Sequence, residues 1–176
     1  MPTDVAVASS GEIFVSDGYC NSRIVKFDKD GKYLGQMGDD DFKAPHGIAL
    51  AENLGVLCIA DRDHVRVVCL NAGLEHPENF GVSYLSIKSE AQVHAIGYSR
   101  EDRWLHVTHG GSTVHTPSGF TINLTDSQSD TPIAVWWPDQ KGFLSPHDIA
   151  VSPDGKTVYV CEVKPPLLWK FDVNRP

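Results

Sequence analysis

The chain has 176 residues, 41% of them hydrophobic, and its 15 basic against 23 acidic side chains give a formal net charge of −8. That length supplies one ordinary core or part of a larger one, and the acidic balance speaks against a nucleic-acid partner, which needs a basic face. No apolar run reaches the roughly 18 residues of a membrane helix, so no membrane span is expected.

Met1 leads at once into Pro2-Thr3-Asp4-Val5-Ala6-Val7, with no basic segment and no signal-type apolar run before it. A turn at Ser10-Gly11 follows, then the strand-like run Ile13-Phe14-Val15-Ser16-Asp17, a loop, the run Arg23 to Phe27, a turn at Asp30-Gly31 and a fourth run, Tyr33 to Met37. The same order then returns. Pro45-His46-Gly47-Ile48-Ala49-Leu50 and Pro146-His147-Asp148-Ile149-Ala150-Val151 repeat the opening motif, and Val93-His94-Ala95-Ile96-Gly97-Tyr98 is a weaker copy. Second runs end at Asp61, Thr108 and Glu162, and third runs cover 66–70, 119–123 and 167–171. No window holds a 3.6-residue period. Three or four short antiparallel strands recurring at roughly 43 to 54 residues predict the blades of a β-propeller. The fold class is therefore all-β, with four blades at approximately 1–43, 44–91, 92–144 and 145–176. Both ends read as cuts through a larger ring.

Thr3, His46, His94 and His147 hold one equivalent position, just before the innermost strand of each blade and facing the channel mouth. Equivalent positions of successive blades converge near the propeller axis. Converging neutral imidazoles suit zinc, which accepts three protein ligands and keeps one open position in catalytic sites. His64, His76, His106, His109 and His115 have no such register and are expected to be exposed or structural.

The loops after the second runs repeat an acid and a later arginine, Asp17 with Arg23 and Asp61 with Arg66, which reads as a structural pair. Tyr19 and Arg62 follow the repeated acid without repeating themselves, which suits function. A tyrosine can accept a proton, and an arginine can clamp a carboxylate at two points. Cys58 and Cys69 lie on neighbouring runs around a short hairpin loop, either bridged or as two free buried thiols. Cys20 and Cys161 have no evident partner. Asn123-Leu124-Thr125 is a glycosylation sequon, relevant only in a secreted protein.

The Pro2–Val7 motif, the run Val15-Ser16-Asp17-Gly18-Tyr19-Cys20-Asn21-Ser22-Arg23-Ile24-Val25, Ala60-Asp61-Arg62 and Pro146-His147-Asp148-Ile149 together resemble peptidyl-α-hydroxyglycine α-amidating lyase, the lyase domain of peptidylglycine α-amidating monooxygenase, built of NHL-type repeats. The similarity spans the chain and is weak from about Glu75 to Gly142. The resemblance implies a six-bladed ring of which these are the last four blades. It implies zinc on His46, His147 and a third histidine upstream of Met1, and it gives His94 no ligand role. It makes Tyr19 the catalytic base and Arg62 an active-site arginine, places Asp148 at a structural calcium, pairs Cys58 with Cys69, and pairs Cys20 with an upstream cysteine. The implied reaction splits a peptide ending in α-hydroxyglycine into a peptide amide and glyoxylate. Peptides of that kind are the expected partners, with a monooxygenase domain, attached or separate, in the same pathway. The expected location is secreted or in the secretory lumen. Two other readings are a non-enzymatic NHL-type scaffold that binds a protein over its channel face, and a propeller hydrolase with a calcium site.

Overall fold

The computed structural model describes residues 1–38, 41–126, 131–139 and 142–174. Four antiparallel sheets follow one another along the chain. The first holds β1 (Asp4–Val7), β2 (Ile13–Asp17), β3 (Arg23–Phe27) and β4 (Tyr33–Met37). The second holds β5 (Pro45–Ala51), β6 (Val56–Asp61), β7 (Arg66–Asn71) and β8 (Ser83–Lys88). The third holds β9 (Val93–Ser99), β10 (Trp104–His109), β11 (Ser118–Asn123) and β12 (Ala134–Trp136). The last holds β13 (Pro146–Val151), β14 (Thr157–Glu162) and β15 (Leu167–Asp172). Within each sheet the spatial order equals the chain order, as consecutive hairpins require. These are propeller blades, and the all-β expectation is met. The fourth strand, expected only in some repeats, is present in three sheets.

The first strands of the sheets, β1, β5, β9 and β13, pack side by side in that order. This is the arrangement that brings one repeat position from each blade toward a common axis. The blades are joined face to face by apolar side chains. Phe14 and Ile24 of the first sheet share a cluster with Ile48, Leu57 and Ile59 of the second. Val56, Val67 and Ile87 share another with Leu105, Val107 and Ile122 of the third. Phe143, Val158 and Val160 pack with Trp136 and Phe171 between the third and fourth. Each such side chain, fully buried, contributes about 1.5–3 kcal/mol.

Between the first two blades a cation is buried as well. Nζ of Lys26 donates to the carbonyls of Ala72 (3.1 Å) and Gly73 (2.8 Å) and pairs with Glu12 at 2.8 Å. It lies over the rings of Phe14 and Phe80, at 5.3 and 5.5 Å from their centroids. Cys58 and Cys69, directly opposite on β6 and β7, form a disulfide with an S–S distance of 2.03 Å. Of the alternatives left open by the sequence, the bridged one is therefore observed.

Candidate active site

The three axial histidines share one backbone device. On β5 the pairing steps from Pro45–Asp61 to Ile48–Ile59, on β9 from Val93–His109 to Ala95–Thr108, and on β13 from Pro146–Glu162 to Asp148–Cys161. His46, His94 and His147 each fall in the resulting irregularity, where a bulge turns a side chain away from the regular alternation. They therefore lie within the first strands, second residue in each, rather than just before them. Their rings meet: His46 and His147 have centroids 5.0 Å apart, His94 and His147 5.4 Å, and His46 and His94 5.8 Å. Gly47 permits the approach of β5 to β9, since a Cβ there would lie 2.9 Å from both Ala95 Cα and the His94 carbonyl oxygen.

His46 is buried, and both its ring nitrogens are engaged. Nδ1 lies 2.8 Å from the His94 carbonyl oxygen and Nε2 lies 3.1 Å from the Tyr19 hydroxyl. A carbonyl can only accept, so Nδ1 carries the proton and Nε2 presents its lone pair, to which the phenol donates. Burial holds the His46 pKa below the usual imidazole value, against the hydrogen bond to the His94 carbonyl, which raises it. For His94, burial and then the charge of Arg62 push the pKa down to about 4.

Tyr19 is delivered by α1 (Gly18–Asn21), a single turn closed by Ser22 in the left-handed conformation at φ 49°. The turn leans directly on the second blade, because a Cβ on Gly18 would collide with the Pro45 carbonyl oxygen. Glycine is thus required by that contact. Arg62 opens the one-turn 3-10 helix Arg62–His64, closed in the same manner by Val65 at φ 56°. Its Nη1 pairs with Asp63 at 3.1 Å, and Asp63 accepts from Gln92 at 2.8 Å. The turn that carries Arg62 packs against β5 and β9, and the guanidinium charge depresses the pKa of both His46 and His94. Arg62 Nε and His94 Nδ1 are buried without a hydrogen-bond partner among the described residues.

The repeated acids pair with their arginines as expected: Asp17 with Arg23 at 3.1 Å and Asp61 with Arg66 at 2.6 Å. Asp148 is exposed on β13, and its charge reaches Asp4 of β1. The Asp4 pKa is raised, by burial first and by Asp148 among the further causes. Asp4 accepts the Ile48 N–H at 2.8 Å and so ties the first blade to the second. Asn123, at the end of β11, accepts from the backbone and side chain of Thr125 at 3.0 and 2.8 Å. Cys20 and Cys161 are exposed free thiols. His106 and His109 are buried. Each hydrogen-bonds within its own sheet, His106 to Thr121 and His109 to Ser118, the structural role expected of them.

The structure thus brings Tyr19, His46, Arg62 and His147 together from three blades. His94 joins them, as its repeat position predicts, although the family resemblance gives it no ligand role. Its membership was visible only as the weak third copy of the repeat. The fit to zinc rests on the donor set. Two imidazoles about 5 Å apart, one of them held neutral by burial with its Nε2 lone pair toward the Tyr19 hydroxyl, suit a metal that takes neutral histidine nitrogens. Among the described residues, however, no three His, Cys, Asp or Glu side chains are placed to hold a metal together.

A model of the NHL repeat matches residues 1–27. Peptidyl-alpha-hydroxyglycine alpha-amidating lyase 2 of Drosophila melanogaster is 38% identical over 92% of this chain and 39% of its own length. A probable peptidyl-alpha-hydroxyglycine alpha-amidating lyase of Caenorhabditis elegans is 33% identical over 93% and 47%. Peptidyl-glycine alpha-amidating monooxygenase of Mus musculus is 36% identical over 98% and 18%. The chain spans less than half the length of these curated relatives. A chain of the mitotic checkpoint complex superimposes with a TM-score of 0.73 over 99% of this chain and 49% of its own, at 15% identity, a likeness of fold alone. Over the stretch that it shares with them, nearly its whole length, the chain is a homologue of the peptidyl-α-hydroxyglycine α-amidating lyases.

Proposed function

We propose that the protein cleaves peptidyl-α-hydroxyglycine to a peptide amide and glyoxylate, with His46 and His147 as zinc ligands, Tyr19 as the base and Arg62 as the carboxylate clamp. The observation that carries this reading is the meeting of Tyr19 with His46 at 3.1 Å, beside His147 and within the field of Arg62. The relatives' printed names point the same way.

Zinc, when bound, supplies an electrophile that stabilises negative charge developing on the substrate hydroxyl. His46 would hold it through Nε2, since Nδ1 is fixed by the His94 carbonyl, and the Tyr19 hydroxyl that now donates to Nε2 would give up that bond. Arg62, with Nε unsatisfied, takes the substrate carboxylate and so fixes the carbinol carbon relative to Tyr19. Tyr19, deprotonated, accepts the hydroxyl proton. The C–O bond gains its second pair as the C–N bond breaks, the amide nitrogen takes up a proton, and glyoxylate leaves. No electrons are exchanged with a cofactor. Asp148, near Asp4, belongs in this reading to a structural calcium site, and Asn123 to a glycosylated surface in the secretory pathway. The six-bladed ring and the monooxygenase partner belong to the same proposal.

The test is glyoxylate release from a synthetic peptidyl-α-hydroxyglycine by the full-length protein, with zinc and with chelator. Zinc-dependent turnover well above the uncatalysed rate is expected. Turnover no faster than buffer, with zinc present and the fold intact, contradicts the assignment and favours a scaffold that binds a protein partner.

A further inference from the structure

In the second, third and fourth blades the last residue of the second strand pairs with the first residue of the inner strand. In the second and fourth blades that residue is a buried acid. Asp61 is fully buried and Glu162 is 5% exposed. Both spend their charge on the segment that leads into the axial histidine. Asp61 Oδ1 accepts the Lys43 N–H at 2.7 Å, three residues before His46, while its Oδ2 takes Arg66 Nε at 2.6 Å and His64 Nδ1 at 2.9 Å. Glu162 Oε2 accepts the N–H groups of Leu144 and Ser145, both at 2.6 Å, immediately before Pro146-His147, and its Oε1 accepts Trp169 Nε1 at 2.6 Å. Ser145 is held again by its Oγ, which donates to the Lys164 carbonyl at 2.9 Å and accepts the Lys164 N–H at 2.8 Å.

The third blade is an internal comparison. There the paired position is His109, whose Nδ1 bonds the Gly110 carbonyl and whose Nε2 bonds Ser118, both within its own hairpin. Among the described residues no carboxylate accepts the N–H groups that lead into His94; Gln92 is held instead by its side chain, which donates to Asp63, and by its carbonyl, which accepts the Gly110 N–H. Asp17 holds the same place in the first blade, where the axial residue is Thr3. It holds the turn that carries Tyr19, through Asn21 at 2.6 Å and Arg23 at 3.1 Å. A fully buried carboxylate is costly unless well bonded, and charge-assisted bonds to two successive N–H groups fix a backbone far more tightly than a neutral contact.

We infer that Asp61 and Glu162 are positioning residues for metal binding: they fix the backbone entering the bulge and thereby the aim of the His46 and His147 imidazoles. This rests on the zinc reading proposed above. Outer groups that orient metal ligands characteristically change metal affinity by about 10–100-fold when replaced. Glu162→Gln removes the charge from the bonds to Leu144 and Ser145 and, where its NH2 faces them, opens that side of the clamp altogether, whereas Trp169→Phe leaves the charged carboxylate in place on both N–H groups.

The experiment measures zinc affinity by competition with a chromophoric chelator, and the thermal midpoint beside it, in the full-length protein. Glu162→Gln and Asp61→Asn are expected to weaken zinc at least tenfold. Trp169→Phe, which removes only the Oε1 partner, is expected to stay within twofold of wild type. Should Glu162→Gln not fold, Glu162→Asp, one methylene too short for both N–H groups, carries the same expectation. Wild-type affinity in the folded Glu162 variants, or an equal loss in Trp169→Phe, overturns the positioning role. A wild-type protein that binds no zinc instead overturns the zinc reading, and the inference falls with it.

Discussion

Tyr19 and His46 belong to different blades, and the phenol of one donates to Nε2 of the other across 3.1 Å. The contact depends on Gly18, whose missing side chain lets the Tyr19 turn rest against the Pro45 carbonyl. Gly18→Ala must push the turn outward. Overpacking of this kind costs about 1–3 kcal/mol. The expected outcome is a modest fall in thermal midpoint together with a disproportionate loss of kcat. A variant with wild-type kcat would show that the turn need not touch the second blade.

The Cys58–Cys69 bridge closes a short loop, with a sequence separation of 11. In the chain-entropy account such a loop contributes about 3 kcal/mol. The double Ser variant is expected to lose about that much in urea unfolding, and non-reducing peptide mapping of the wild type should recover the two cysteines linked. Two alkylatable thiols in protein made under oxidising conditions would refute the bridge.

Lys26 sits between the first two blades with two carbonyls, Glu12 and two aromatic faces around its ammonium. Lys26→Ala leaves those carbonyls unpaired and opens a cavity. The expected destabilisation is about 2–4 kcal/mol, read from denaturant unfolding at constant slope. A change under about 0.5 kcal/mol would mean that solvent already reaches the site.

The blade pattern was legible because a strand of period two must alternate, and four copies of one alternation with Gly-marked turns leave little else to build. Pro45-His46 and Pro146-His147 were legible as axial residues because they repeat. His94 was legible at the same position from a weaker copy without the proline, but no role followed for it, since how closely the three rings meet is a property of packing between blades. Lys26 and Glu162 were missed for a related reason. A charged side chain in a strand reads as solvent-facing, and only the neighbouring blade for Lys26, or the preceding loop for Glu162, shows the acceptors and donors that allow its burial.

His106 supplies a pH prediction away from the candidate site. It is 3% exposed, and burial pushes its pKa down to about 4, against the charge of Asp102, which raises it. Above pH 6.5 the imidazole is neutral folded or unfolded and costs nothing. Between about 6.5 and 4 the unfolded chain takes a proton that the folded chain refuses, so stability falls as pH falls. The contribution amounts to about 3 kcal/mol at most. His106→Gln is expected to flatten the wild-type loss of stability over that interval. An unchanged slope would show that His106 is protonated in the fold.

The Tyr19 hydroxyl lies beside His46, and Tyr19→Phe removes that one atom. The decisive measurement is glyoxylate release by the Tyr19→Phe protein, with its zinc content determined on the same sample. Loss of at least a hundredfold in kcat, about 3 kcal/mol of barrier, with zinc retained and the thermal midpoint unchanged, is the predicted result. Turnover within a few-fold of wild type would contradict the assignment of Tyr19 as the base.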